Sequence, residues 1–302
     1  MAARRRPLRV RIGIGTGPAV VDAAALASLG DGLVELGFDS LWLPEVLTAP
    51  GVDPLVGLAW AGSHNPRLKL GTTMLLPGRN LVRLAKQTAV LDSLSGGRLL
   101  LTFVPGLARG PERTAVGVPP DQRGSVIDEA LPLLRRLWAG ERVSYRGPAG
   151  HFEEATISTL PVQQPLEVWL GGTAPGALRR CGQLADGWLP AMCTPEETAE
   201  GRKVVEEAAG EAGRHISPEH FGVSVGYAHH GLDGTAREAL RARSKGRPVD
   251  ELVPVGLRAL RSLLERFIAV GFSKFVLRPL EPPADWLDEL EGLADAVGDL
   301  QS

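Results

Sequence analysis

The residues able to do chemistry are few, and they cluster at the ends of apolar segments. Val168-Trp169-Leu170 runs into Gly171-Gly172-Thr173, and a helix-like stretch follows. A double glycine between a strand and a helix reads most plainly as a tight turn. It is also a candidate bed for a phosphate, because backbone N–H groups at a helix start favour an anion. Glu45 is the one acid directly at a strand end, Glu112 sits in a loop further out, and Arg278 closes the last apolar run. Two carboxylates flanking one bond, as glycoside hydrolysis requires, are missing from this set. His229 and His230 are adjacent, so on an extended segment they point apart, and we read them as exposed loop residues. No metal-ligand spacing, GxSxG elbow or Cys/His pair is present. The remaining strand ends are glycine-rich and apolar. That suits a flat ring bedded on backbone, with a bound cofactor supplying the chemistry.

Positioning these residues takes a regular scaffold. Strands are expected at 10–15, 38–44, 67–76, 98–104, 166–170, 186–191, 221–227 and 274–280. Helices are expected at about 22–36, 54–64, 81–95, 123–139, 175–185, 195–213, 256–270 and 283–300. Asp22 and Asp53 are plausible N-caps, Pro54 opens its helix, and Gly96-Gly97 follows another. Thr194, Pro195 and Glu197 form a helix start. Eight strands alternating with helices in 302 residues predict an α/β fold, a closed (β/α)8 TIM barrel. The chain reads as one domain over 1–302, with insertions near 140–164, a small hairpin, and 229–254, a polar excursion. A dinucleotide-binding sheet is the weaker rival, since GIGTGP (13–18) puts Pro18 where the third glycine belongs. In a barrel the site lies at the C-terminal strand ends, which is where the residues above fall.

Composition narrows the class. The net charge is −2 with signs interspersed, which does not favour nucleic acid. Cys181 and Cys193 are the two cysteines, too few for a zinc cluster, and they fit a reducing cytoplasmic setting. Arg4-Arg5-Arg6 lacks the apolar run that a signal peptide needs. No apolar run approaches the roughly 20 residues of a membrane span.

Several segments together resemble the luciferase-like monooxygenase superfamily of flavin- and deazaflavin-dependent oxidoreductases. They are GFDSLWLPE (37–45), LKLGTTMLLPGRNLVRLAKQTAVLDSLSGGRLLL (68–101), LPVQQPLEVWLGGTAPGALRRCGQLADGWLP (160–190) and GFSKFVLRP (271–279). Within it the chain looks most like members assigned to coenzyme F420, an 8-hydroxy-5-deazaflavin. The resemblance implies a non-prolyl cis peptide at Thr73–Met74 under the cofactor ring. It implies a phosphate bed at Gly171, Gly172 and Thr173, walled by the Trp188 to Met192 segment with Pro190 and Ala191. Met74 and Val104 are expected to pack on the ring, whereas Trp42 and Phe103, lying within strands, are expected in the core. Arg278 is expected to meet an acidic substrate or the cofactor tail; a surface pairing with Glu281 is the alternative. Glu112 is a candidate substrate contact. Glu45 is the candidate catalytic residue, although Val46 stands where many relatives carry a histidine.

The expected function is hydride transfer between F420 and an unidentified small organic substrate. An FMN-dependent monooxygenase and a non-catalytic flavin-binding barrel are the alternatives. The resemblance also implies a homodimer through the helices after the second and third strands; at 54–64 Leu55, Val56, Leu58 and Trp60 make an apolar helix, which agrees with a buried interface.

Overall fold

The computed structural model describes residues 8–17, 22–244 and 246–302. Arg4-Arg5-Arg6 and Pro18 lie outside them. Along the chain come β1 (Arg11–Gly15), β2 (Ser40–Pro44), β3 (Lys69–Leu75) and β4 (Leu99–Val104). An antiparallel hairpin follows, β5 (Val143–Gly147) with β6 (Gly150–Ala155). Then come β7 (Val168–Leu170), β8 (Gly187–Trp188), β9 (Gly222–Tyr227) and β10 (Lys274–Pro279). Apart from the hairpin the strands pair in parallel, in the order β8-β7-β4-β3-β2-β1-β10-β9. Isolated parallel bridges, Trp188 with Phe221 and Ala191 with Ser224, join β8 to β9 and complete the ring. This is the expected (β/α)8 barrel.

Several helices begin where a side chain satisfies the first N–H groups. Asp22 accepts from Ala25 at the head of α1 (Ala23–Glu35), and Asp53 accepts from Leu55 and Val56 at α2 (Pro54–His64). Asn80 caps α3 (Leu81–Ser95), which stops at Gly96 in the left-handed region (φ 66°). A short α4 (Glu112–Ala115) precedes α5 (Arg123–Trp138), which runs through Pro132. Next are α6 (Pro175–Leu184) and α7 (Pro195–Glu211), the latter closed by the Thr194–Glu197 capping box. The excursion expected at 229–254 holds two helices of its own, α8 (Gly234–Arg243) and α9 (Val249–Leu252). They fold over a small apolar cluster that includes Leu232, Leu240 and Val253, against Met192 and Leu280. The last pair is α10 (Leu257–Ala269) and α11 (Trp286–Val297).

On α2 the apolar residues divide. Leu58 is fully buried against the barrel, while Val56 (69% exposed) and Trp60 (37% exposed) face outward.

Side-chain alternation separates two cores. Ile12, Ile14, Leu41, Leu43, Leu70 and Leu101 point outward to the helices and are essentially inaccessible. The interior of the ring is filled by fewer, larger groups. Trp42 lies between Gly13 and Gly71, where an added Cβ would collide with its indole. Its Nε1 donates to Ser40 Oγ at 2.9 Å. Leu189 and Val276 pack beside it.

Beneath Trp42 the buried Asp39 carboxylate receives Lys274 and, at 2.7 Å, Lys69. Burial works against the carboxylate charge, but the two ammonium groups outweigh it and hold Asp39 well below the usual carboxylate range. Burial also pulls Lys274 down to about 8, against the attraction of Asp39. Because the folded value of Asp39 lies below the unfolded one, its contribution is complete above the ordinary carboxylate range. It is lost as pH falls through the folded value. Asp39→Asn should cost about 3 kcal/mol in urea denaturation at pH 7, since Lys274 is left buried without its counter-charge. The same variant should also show a shallower loss of stability on acidification than the parent chain.

Candidate active site

A cavity of about 410 Å³ opens at the C-terminal ends of the strands, with Trp42 as its floor. That volume is enough for a small-molecule or cofactor site. Thr73, Val104, Gly171, Gly172, Thr173 and Ala191, expected around a cofactor, all line it. So do Glu45, Glu112 and Arg278.

Four expected cofactor contacts do not reach it, and strand alternation is the reason. Met74 lies between the cavity-lining Thr73 and Leu75, so it points outward and is fully buried in the helix-facing core. The Thr73–Met74 bond is trans; among the described residues the cis bond is Gln164–Pro165. Trp188 also points outward, where its ring meets Phe272 edge-on with centroids 5.8 Å apart. Pro190 serves the barrel seam, its carbonyl accepting from Ser224 N–H at 2.8 Å. Met192 packs on the excursion cluster. Phe103 takes its expected place in the core, and Trp42 is buried as expected but also forms the cavity floor.

The β7 turn is built differently from a simple row of free donors. Gly171 N–H is used by the barrel, donating to Phe103 O at 3.0 Å. A Cβ on Gly171 would stand 2.7 Å from Val104 Cγ1 and 3.2 Å from Leu189 O, so only glycine fits. Gly172 has φ +107°, which an L side chain rarely adopts. Its carbonyl accepts from Trp188 Nε1 at 2.9 Å, so the indole fixes this peptide from behind. The chain then enters α6 with Ala174 at the N-cap and no side-chain cap bond. Pro175 brings no N–H to that first turn, and the Ala177 N–H donates to the Ala174 carbonyl at 2.8 Å.

Glu45 is braced rather than free. One oxygen takes the Arg79 guanidinium and the other accepts from Leu75 N–H at 2.7 Å. Glu112 is the opposite case. It is 3% exposed, its Oε1 accepts from Leu107 N–H at 2.9 Å, and its buried Oε2 has no hydrogen-bond partner among the described residues. Arg278 is partly buried and does not pair with Glu281; its Nε donates to Ser224 Oγ at 3.0 Å. His229 is exposed at the ring but not idle, lying 2.8 Å from Glu289 Oε2, which also receives Tyr227 on its other oxygen. Arg243 and Ser224, both lining the cavity, escaped the sequence reading. Arg243 sits in the polar excursion, and nothing in its neighbours marks which arginine turns inward.

A parallel eight-stranded ring with a glycine turn and an uncapped helix start beside the cavity at its mouth defines the class, a (β/α)8 protein. The family profile described as luciferase-like monooxygenase matches residues 8–266. The chain belongs to the luciferase-like monooxygenase family. An F420-dependent glucose-6-phosphate dehydrogenase of Kineococcus radiotolerans is 31% identical over 168 residues, covering 51% of this chain and 48% of its own length. One of the same name from Microbacterium testaceum is 28% identical over 220 residues, 68% of this chain and 65% of its own. The chain thus spans about half to two thirds of the length of these relatives. Among solved structures, an F420-dependent secondary alcohol dehydrogenase in complex with an F420-acetone adduct superposes with a TM-score of 0.79 at 18% identity, covering 98% of this chain and 100% of the other. Long-chain alkane monooxygenase (LadA) gives 0.75 at 15% identity, covering 97% and 92%. At such identities the likeness is one of fold.

Glu45→Gln should lower stability by about 2 kcal/mol in urea denaturation, because it removes the charge from both bonds. An unchanged midpoint would show that Glu45 does not brace the rim.

Proposed function

We propose that this chain is an oxidoreductase that moves hydride between coenzyme F420 and a small organic substrate. The observation that carries the reading is the pairing, in one cavity, of a fixed glycine turn with a buried carboxylate oxygen that the protein leaves unused. The names of the relatives above support the cofactor.

The residues present suit such a group. The β7 turn and the first turn of α6 would hold its phosphate, with Trp188 keeping the Gly172 peptide in place. Thr73, Val104 and Ala191 offer small or β-branched surfaces on the surrounding walls for a ring. Bound there, the deazaflavin supplies a two-electron hydride carrier. Trp42 closes the floor of the cavity. Glu112 is placed to hold the proton that a hydroxyl loses on oxidation, or to return it in the reverse direction. Glu45 keeps the rim in shape through Arg79.

Titration with F420 should quench tryptophan fluorescence with micromolar affinity. No quenching up to high micromolar overturns the reading, and purification as a yellow FMN complex would favour the flavin alternative. Gly172→Val should weaken F420 binding about tenfold, since the turn cannot be kept. Glu112→Gln should lower turnover about 100-fold while F420 affinity stays within twofold.

The homodimer is part of the same reading, with Val56 and Trp60 as its covered face. Gel filtration at micromolar concentration should give twice the chain mass, and Trp60→Glu should return it to one.

A further inference from the structure

Two guanidinium groups face the cavity, and neither forms an ion pair with a carboxylate among the described residues. Arg278 comes from β10. Its stem lies against β1, where a Cβ at Gly15 would stand 2.8 Å from its Cγ. Ser224 on β9 takes the Nε proton, so the fork is fixed and its two Nη groups are left without a described partner. Burial and the neighbouring Arg243 hold Arg278 down to about 10, so it remains charged at neutral pH. Arg243 ends α8 at the rim. It feels repulsion from Arg109 and attraction from Glu112, without ion-pair contact to the latter. Arg109 in turn donates to the Ala242 carbonyl, tying the loop after β4 to the end of α8.

Like charges gathered at one wall repel each other until an anion joins them. Their place in the ring matters. From β7 to β10 is three strands one way and five the other, so Arg278 stands across the mouth from the Gly171-Gly172-Thr173 turn. A phosphate seated on that turn does not use the arginines. On that reading the mouth has two anion positions on different walls, and Glu112 lines the same cavity as Arg243.

We propose that Arg278 and Arg243 hold an anionic group of the substrate, which is accordingly a small organic anion, a phosphate ester or a carboxylate, bearing a hydroxyl near its charge. The inference rests on reading the β7 turn as the cofactor bed. Arg278 supplies the planar fork that such groups match in two parallel bonds. Ser224 is a positioning residue for that fork. Arg243 makes the site depend on the excursion, which selects the ligand as it covers the mouth.

The test is calorimetric titration of the whole chain, with and without saturating F420, using inorganic phosphate, acetate and neutral glycerol as probes in a low-chloride buffer. Phosphate or acetate should bind and glycerol should not; preference between the two anions separates ester from carboxylate. Arg278→Met should weaken the preferred anion about tenfold or more. Arg278→Lys, which keeps the charge and loses the fork, should fall between. Arg243→Ala should cost about threefold or more, and F420 affinity should stay within twofold in all three. Anion affinity unchanged in Arg278→Lys and Arg243→Ala overturns the proposal, and these two serve if the methionine variant does not fold. A tenfold loss of F420 affinity with the anion unaffected also overturns it, since the arginines would then serve the cofactor. If F420 fails to bind but the anion responds to both arginines, the anion site stands and the cofactor reading falls.

Discussion

The indole of Trp42 is the constraint around which the rest is arranged. A ring of eight strands must fill its own interior, and here one large side chain does much of it. Gly13 and Gly71 give up their side chains to admit it. Ser40 satisfies its N–H, and the Lys274 ammonium sits 5.9 Å from its ring centre. The indole thereby divides the interior. Below it is a charged floor built on Asp39, Lys69 and Lys274; above it is space. The layer beneath leaves only about 20 Å³ beside Trp169 and Lys274, whereas glycine, threonine, alanine and valine among the residues above leave about 410 Å³.

That upper layer shows how the same side-chain types serve different ends. Glu45 and Glu112 are both acids at the mouth. Glu45 spends its two oxygens on Arg79 and Leu75, so it maintains shape. Glu112 spends one, on Leu107, and keeps one. Trp188 never touches the cavity, yet its N–H sets the peptide on which the proposed phosphate bed rests. Arg123, fully buried, gathers the carbonyls of Pro105, Leu107, Val118 and Arg113, and so shapes the loop that carries Glu112. The groups proposed to meet ligand are held by groups that do not.

The alternation of strands and helices was legible in the sequence, because several helix starts carry a side-chain cap (Asp22, Asp53, Thr194) and most strands a short apolar run. The glycine turn, Glu112 and Arg278 were legible for a related reason: each lies at a strand end or just beyond one, and the barrel brings strand ends together. What was not legible is parity. In runs such as Lys69–Leu75 both faces of the strand are buried, so apolar character does not say which residue looks inward. Met74 and Thr73 differ by one position and face opposite sides. The same ambiguity displaced Trp188, Pro190 and Met192. Arg243 was hidden for another reason. The excursion carries several arginines, and its inward face is set by an apolar cluster packed on Met192 and Leu280, distant in the chain.

One feature of the ring bears on its mechanics. Seven of its eight seams are continuous ladders, but β8 meets β9 through isolated bridges and the Ser224 to Pro190 hydrogen bond. β8 itself is two residues long. A closed cylinder under thermal load opens along its least-stitched line, and this is that line. The residues flanking it, Ala191 and Ser224, face the cavity, and the excursion lies across their ends. Within the ring of strands this seam is the weakest, and whatever spans the mouth beside it acts as a clasp on the cylinder.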